Sequence, residues 1–141
     1  MTGSPGAGPL WPPPEALLDA HAVLLARDGG AEGVRDPGGI EAALARAENL
    51  SAYGGETRIP YLAAAIAYGI GHIRHPFVDG NKRVAFAALL MALALNGLAL
   101  DATETEAYEM VRDMAAGAID EAAFAAWVAE HAVSSADVSA P

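Results

Sequence analysis

Every residue from Val84 to Leu95 is apolar, and the run begins directly behind His75-Pro76-Phe77-Val78-Asp79-Gly80-Asn81-Lys82-Arg83. It is too short to span a bilayer and is built mostly of alanine and leucine, which favour helix. It therefore predicts a buried central helix that other elements must wrap. Tyr61 to Ile73 is likewise apolar on nearly every side and predicts a second enclosed helix, opened by Pro60 and ended before Pro76.

The remaining elements follow from spacing. Leu17, Leu18, His21, Leu24 and Leu25 recur at helical intervals between Glu15 and Arg27, and Asp28-Gly29-Gly30 breaks that helix. Ile40, Ala43, Leu44 and Ala47 mark a helix to Leu50, followed by a loop from Ser51 to Ile59. Asn96-Gly97 closes the central helix. Thr103 and Glu106 have capping-box spacing for a helix that Gly117 stops, and Asp120 can cap a last helix through His131 with Phe124, Trp127 and Val128 inward. No repeat and no strand is evident. The expectation is an all-α bundle of about six helices around a central buried helix. A flexible Pro/Gly-rich lead-in (1–14) precedes the domain (15–132), and a disordered tail (133–141) follows it.

At 141 residues the chain is one domain with a real core. Its net charge of −10 argues against nonspecific nucleic-acid binding, which needs clustered Lys and Arg. There is no cysteine, hence no disulfide or thiolate metal site, and a cytoplasmic location fits. The start lacks the basic and apolar regions of a secretory signal, and no membrane segment is expected. Pro9 and Pro12 have PxxP spacing, for which a plain lead-in is the simpler reading.

Against that acidic background, Arg74, Lys82 and Arg83 bracket one loop, and Lys82 is the only lysine. Cations in a helix's first turn oppose its dipole unless an anion sits in front of them. The residue types suit phosphoryl chemistry. A neutral imidazole at His75 can accept a hydroxyl proton near pH 7. Asp79 is a hard ligand for Mg²⁺. Gly80 permits positive φ and close approach. Asn81 can cap the helix, Lys82 supplies a movable charge, and Arg83 can fork onto phosphate. Phe77 is the apolar plug that pins the loop. Taken singly, each has an ordinary structural explanation. His72 and His75 could also be read as a metal pair, and His21 and His131 have no acid–base company.

The ordered nine residues resemble the Fic/Doc motif, HPFx(D/E)GN(G/K)R. Gly33-Val34-Arg35-Asp36, Ile40 to Arg46 and Leu95-Asn96-Gly97 are similar to the corresponding stretches of the Doc (death-on-curing) branch. Lys82 stands where adenylylating members usually have Gly, and Phe86 where they have a second Arg, so the resemblance points to Doc. It implies a toxin of a toxin–antitoxin pair that transfers the γ-phosphate of ATP, with Mg²⁺, to a hydroxyl on a translation factor, elongation factor Tu. His75 would be the general base, and Asp79 the Mg²⁺ ligand or the residue that orients the hydroxyl. Gly80, Asn81, Lys82 and Arg83 would hold phosphate. Gly80, where the Doc prototype has Ala, keeps AMP transfer as an alternative; a catalytically inactive binding module is the other. The autoinhibitory pattern (S/T)xxxE(G/N) is absent, which implies control in trans by a Phd-like antitoxin. The Ser51–Ile59 loop lies where relatives position the target segment.

Overall fold

A computed structural model describes residues 8–138. Its helices are α1 (Pro14–Asp28), α2 (Gly39–Ala52), α3 (Ile59–Tyr68), α4 (Asn81–Leu95), α5 (Glu104–Ala115) and α6 (Glu121–His131). A π-helical turn, Gly69–Arg74, continues α3, and two short strands, β1 (Leu98–Leu100) and β2 (Ala132–Ser134), precede a 3₁₀ turn at Ser135–Val138. The fold is all-α apart from that ribbon.

The helices form where the apolar spacing predicts them. In α2, Ile40, Ala43, Leu44 and Ala47 are all buried. In α3 the six residues Leu62–Ala67 are buried consecutively, because α2, α4 and α6 enclose the helix. The centre is therefore shared: α4 buries Val84, Ala85, Ala88, Leu89, Ala92 and Leu93, while Leu90 and Leu95 on its other flank are exposed. Each Leu, Ile, Val or Phe taken fully out of water contributes roughly 1.5–3 kcal/mol. Thr103 and Glu106 form the reciprocal capping box of α5, and the Asp120 carboxylate accepts from Ala123 N–H at 2.8 Å to start α6.

Two expectations are corrected. The enclosed helix does not run as α-helix to Ile73. His75 N–H bonds to Ile70 O, five residues back, which is the wider π register. Small residues permit that turn to sit close: a Cβ on Gly69 would meet Ala43 Cβ at 2.9 Å, and one on Gly71 would meet Ala85 Cβ at 3.2 Å.

Strands do exist, as an antiparallel pair with Leu98 opposite Ser134 and Leu100 opposite Ala132. Each is three residues long, too short for an alternation pattern to show.

Parts of the expected lead-in and tail make contacts with the helical body. Leu10 N–H donates to Asn96 Oδ1 and Leu10 O accepts from Asn96 Nδ2, both at 2.9 Å, while Pro12 is buried and Trp11 packs on the core. At the other end Val133 and Ser134 belong to β2. Residues 1–7 and 139–141 of the expected lead-in and tail lie outside the described residues.

Candidate active site

The loop from His75 to Gly80 links the π turn to α4, and its geometry begins with an uncommon backbone. His75 has φ 46° and ψ 62°, the only positive φ of a non-glycine residue among those described. Proline disfavours αR at the preceding residue and pushes it toward extended backbone, so the left-handed state of His75 depends on its surroundings. Neighbouring groups hold this conformation. His75 O accepts from Arg35 Nε at 3.1 Å and Nη2 at 2.7 Å, and Nη2 also donates to Arg74 O at 2.9 Å. The backbone of 33–36 grips the next residues: Pro76 O accepts from Arg35 and Asp36 N–H, Phe77 bridges Val34, and Val78 N–H donates to Gly33 O.

Phe77 is the anchor, 1% exposed, with its ring stacked on His21 at 3.8 Å and 12°. His21 is itself buried, and its Nε2 lies 2.9 Å from Asp79 O. A carbonyl oxygen only accepts, so Nε2 carries the proton. Asn81 is corrected from a helix cap to a clip. Gly80, at φ 87°, is the residue before α4, while Asn81 Oδ1 accepts from Phe77 N–H and Asn81 Nδ2 donates to Phe77 O, both at 2.9 Å.

Asp79 Oδ2 accepts from Ala31 N–H at 3.2 Å and Oδ1 from Gly80 N–H at 2.8 Å. Those two N–H groups, with Arg83 and His21 adding to them, hold its carboxyl below the ordinary carboxylate value. Arg83 is turned toward the same corner. Its Nη1 donates to Gly29 O at 3.2 Å and lies 3.6 Å from Asp28 Oδ2, and Nη2 is 4.0 Å from Asp79 Oδ1. The fork expected to face phosphate is thus partly engaged by the protein. Lys82 is exposed and makes no ion pair among the described residues. The N–H groups of Asn81, Lys82 and Arg83 precede the first helical bond of α4, Val84 N–H to Gly80 O, and so have no acceptor within the helix.

One cavity of about 450 Å³ collects His75, Asp79, Gly80, Asn81, Lys82 and Arg83 on its lining. This volume lies in the range of small-molecule sites. Two expected members fall elsewhere. Arg74 sits 3.9 Å from Asp36, and His72 Nδ1 donates to Ala115 O at 3.1 Å rather than pairing with His75. The loop after α2 does not line the cavity; Tyr53 there is 87% exposed. Sequence alone assigns no site role to four residues, among them His21, which it leaves without acid–base company. Tyr108 and Arg112 of α5 line the cavity, His21 holds the Asp79 carbonyl, and Arg35 holds His75. Only helical spacing hinted at the first pair: they lie four apart, off the face of Ala107, Val111 and Met114.

Residues 11–93 match the family model described as the Fic/DOC family. The chain is similar to the protein kinase Doc of Escherichia phage P1, with 37% identity over 87 residues, covering 60% of this chain and 67% of that protein. It is also similar to the toxin Doc of Mycolicibacterium smegmatis, with 40% identity over 90 residues, covering 60% of this chain and 68% of that one.

Proposed function

Because this chain belongs to the Fic/DOC family, we propose that it is a Doc-like toxin that transfers the γ-phosphate of ATP to a hydroxyl side chain of elongation factor Tu. The observation that carries the reading is the convergence of His75, Asp79, Lys82 and Arg83, with the front of α4, on one cavity. One relative is a protein kinase by name and the other a toxin.

In this reading His75 takes the proton from the target hydroxyl as its oxygen bonds to the γ-phosphorus and ADP departs. The forward N–H groups of α4 and the Lys82 ammonium hold the phosphoryl oxygens where charge develops. Arg83 braces Asp79 and adds positive charge to that wall. The donor set fits Mg²⁺: Asp79 is a single hard carboxylate, half exposed, and each oxygen accepts one N–H bond and keeps lone-pair capacity for the ion beside substrate phosphates. When bound, the ion would neutralise phosphate charge. A Phd-like antitoxin as partner belongs to the same proposal. No helix among the described residues is long and apolar enough to cross a membrane.

AMP transfer is the second reading, kept open by the identity of Gly80 in the motif. Phe86 weighs against it. The ring is partly buried against the core, so that turn of α4 offers no second guanidinium to a longer phosphate chain.

The test is the intact mass of elongation factor Tu after incubation with the protein, ATP and Mg²⁺, beside a His75→Ala control. A gain of one phosphate, absent in the control, is expected. A gain of AMP would replace kinase by adenylyl transfer. No gain would remove the proposed target, and a further lack of Mg²⁺-dependent ATP binding would leave a binding module.

A further inference from the structure

α5 has two working faces. Ala107, Val111 and Met114 enter the core, whereas Tyr108 and Arg112, one turn apart, line the cavity that His75 and Lys82 also line. Tyr108 is 47% exposed. Among the described residues the Arg112 guanidinium is tied only to its sequence neighbour, Asp113 Oδ1 at 3.2 Å, a solvent-exposed pair that constrains it weakly. The helix carrying them is fixed to the motif side. His72 Nδ1 donates to Ala115 O, and Met114 packs so near Gly71 that a Cβ there would lie 3.2 Å from the Met114 methyl. In a chain of net charge −10 with eight basic residues, Lys82, Arg83 and Arg112 all border this one cavity. Such focusing favours an anionic ligand.

We propose that Tyr108 and Arg112 are the second half of a nucleotide site: Tyr108 stacks on the base of the phosphoryl donor, and Arg112 holds the phosphate nearest the sugar. The two side chains start about 6 Å apart along the helix axis, comparable to the span from base to first phosphate across a ribose. The start of α4 then takes the phosphate to be transferred. This inference rests on the kinase reading and names the residues that would recognise its donor.

The experiment titrates ATP, and separately inorganic tripolyphosphate, with Mg²⁺, into the full chain carrying His75→Ala to prevent turnover. Adding Tyr108→Ala should weaken ATP binding about tenfold and leave tripolyphosphate unchanged, since aromatic–base stacking is lost while phosphate contacts stay. Tyr108→Phe should restore ATP affinity. Arg112→Gln should weaken both probes by about tenfold, as expected for a lost charge-assisted contact. Both side chains are at the surface, so melting temperatures should hold.

Unchanged ATP binding in both variants overturns the inference alone. Equal weakening of both probes by Tyr108→Ala overturns the base contact. A His75→Ala protein that binds neither probe overturns the kinase reading, and this inference with it.

Discussion

The guanidinium of Arg35 donates to the carbonyl oxygen of His75 from both Nε and Nη2, at 3.1 and 2.7 Å. The carbonyl belongs to a left-handed residue, a backbone state that costs an ordinary L-residue roughly 1–2 kcal/mol. Arg35 thus fixes where the imidazole stands without touching it. Arg35→Ala should lower kcat at least about tenfold while ATP affinity stays within about twofold, because misplacement of a base is a loss of orientation. Single-turnover rates beside ATP titrations check this. Arg35→Lys should rescue poorly, since an ammonium cannot reproduce the fork. An equal loss of ATP affinity would mean that the whole loop had collapsed.

His21 works from beneath the same loop. His21→Phe keeps a ring against Phe77 but removes the donor to Asp79 O, leaving a part-buried carbonyl unpaired. The expected loss is about 1–2 kcal/mol in urea unfolding, with His21→Ala losing more through the added cavity. Mg²⁺-dependent activity should fall in both, because Asp79 then loses its backbone anchor. A His21→Phe protein with unchanged stability and activity would reduce this contact to packing.

The sequence made the helices legible because their apolar spacing is long and regular, as in Ile40, Ala43, Leu44 and Ala47. The motif stood out because His75 to Arg83 are contiguous, and seven of those nine residues line the cavity, Pro76 and Phe77 being the exceptions. The rest depends on distant partners. Nothing in Asn81 itself says that its amide clips Phe77 rather than capping α4. His21 is 58 residues from Asp79, and Arg35 is 40 from His75. Three-residue strands joining positions 98–100 to 132–134 carry no local signal at all. Spacing could reveal that α5 has a second face, but not that the face meets the motif loop.

The loop after α2 offers a test of its own electrostatics. Glu56 accepts from the Arg58 side chain at 2.9 and 2.8 Å and from Arg58 N–H at 2.9 Å. Those bonds, the guanidinium's first, push its carboxyl down from 4.5 to about 2. A depressed carboxylate stabilises the fold fully above its unfolded value, and that contribution is lost as pH falls from 4.5 toward about 2. Glu56→Gln should therefore flatten the stability curve across this acid window and leave the slope above about pH 6 unchanged. The effect should be small and shrink in salt, because the Arg58 partner is 61% exposed, although the Glu56 side chain is largely covered. Urea midpoints at about pH 3 and about pH 6 decide it. An undiminished acid dependence in the variant would assign that window to other carboxylates.

Lys82 separates substrate binding from stability. It is the second residue of α4, exposed, and points a cation at the positive end of a helix dipole. A cation placed there destabilises a helix by roughly 0.3–1 kcal/mol. Lys82→Gln should thus melt slightly higher than the parent protein while transferring phosphate at least about tenfold more slowly, the trade expected when a local conflict is kept for function. Lys82→Gly tests the branch. Glycine weakens the helix start by about 1 kcal/mol at most, so its effect on rate reads the lost charge. Phosphate transfer should suffer from either change, whereas an AMP transferase should tolerate glycine. Thermal melts beside the mass shift of the modified target give both readings. A Lys82→Gln protein that is less stable and fully active would make the lysine a surface contact and leave the forward N–H groups of α4 as the anion site by themselves.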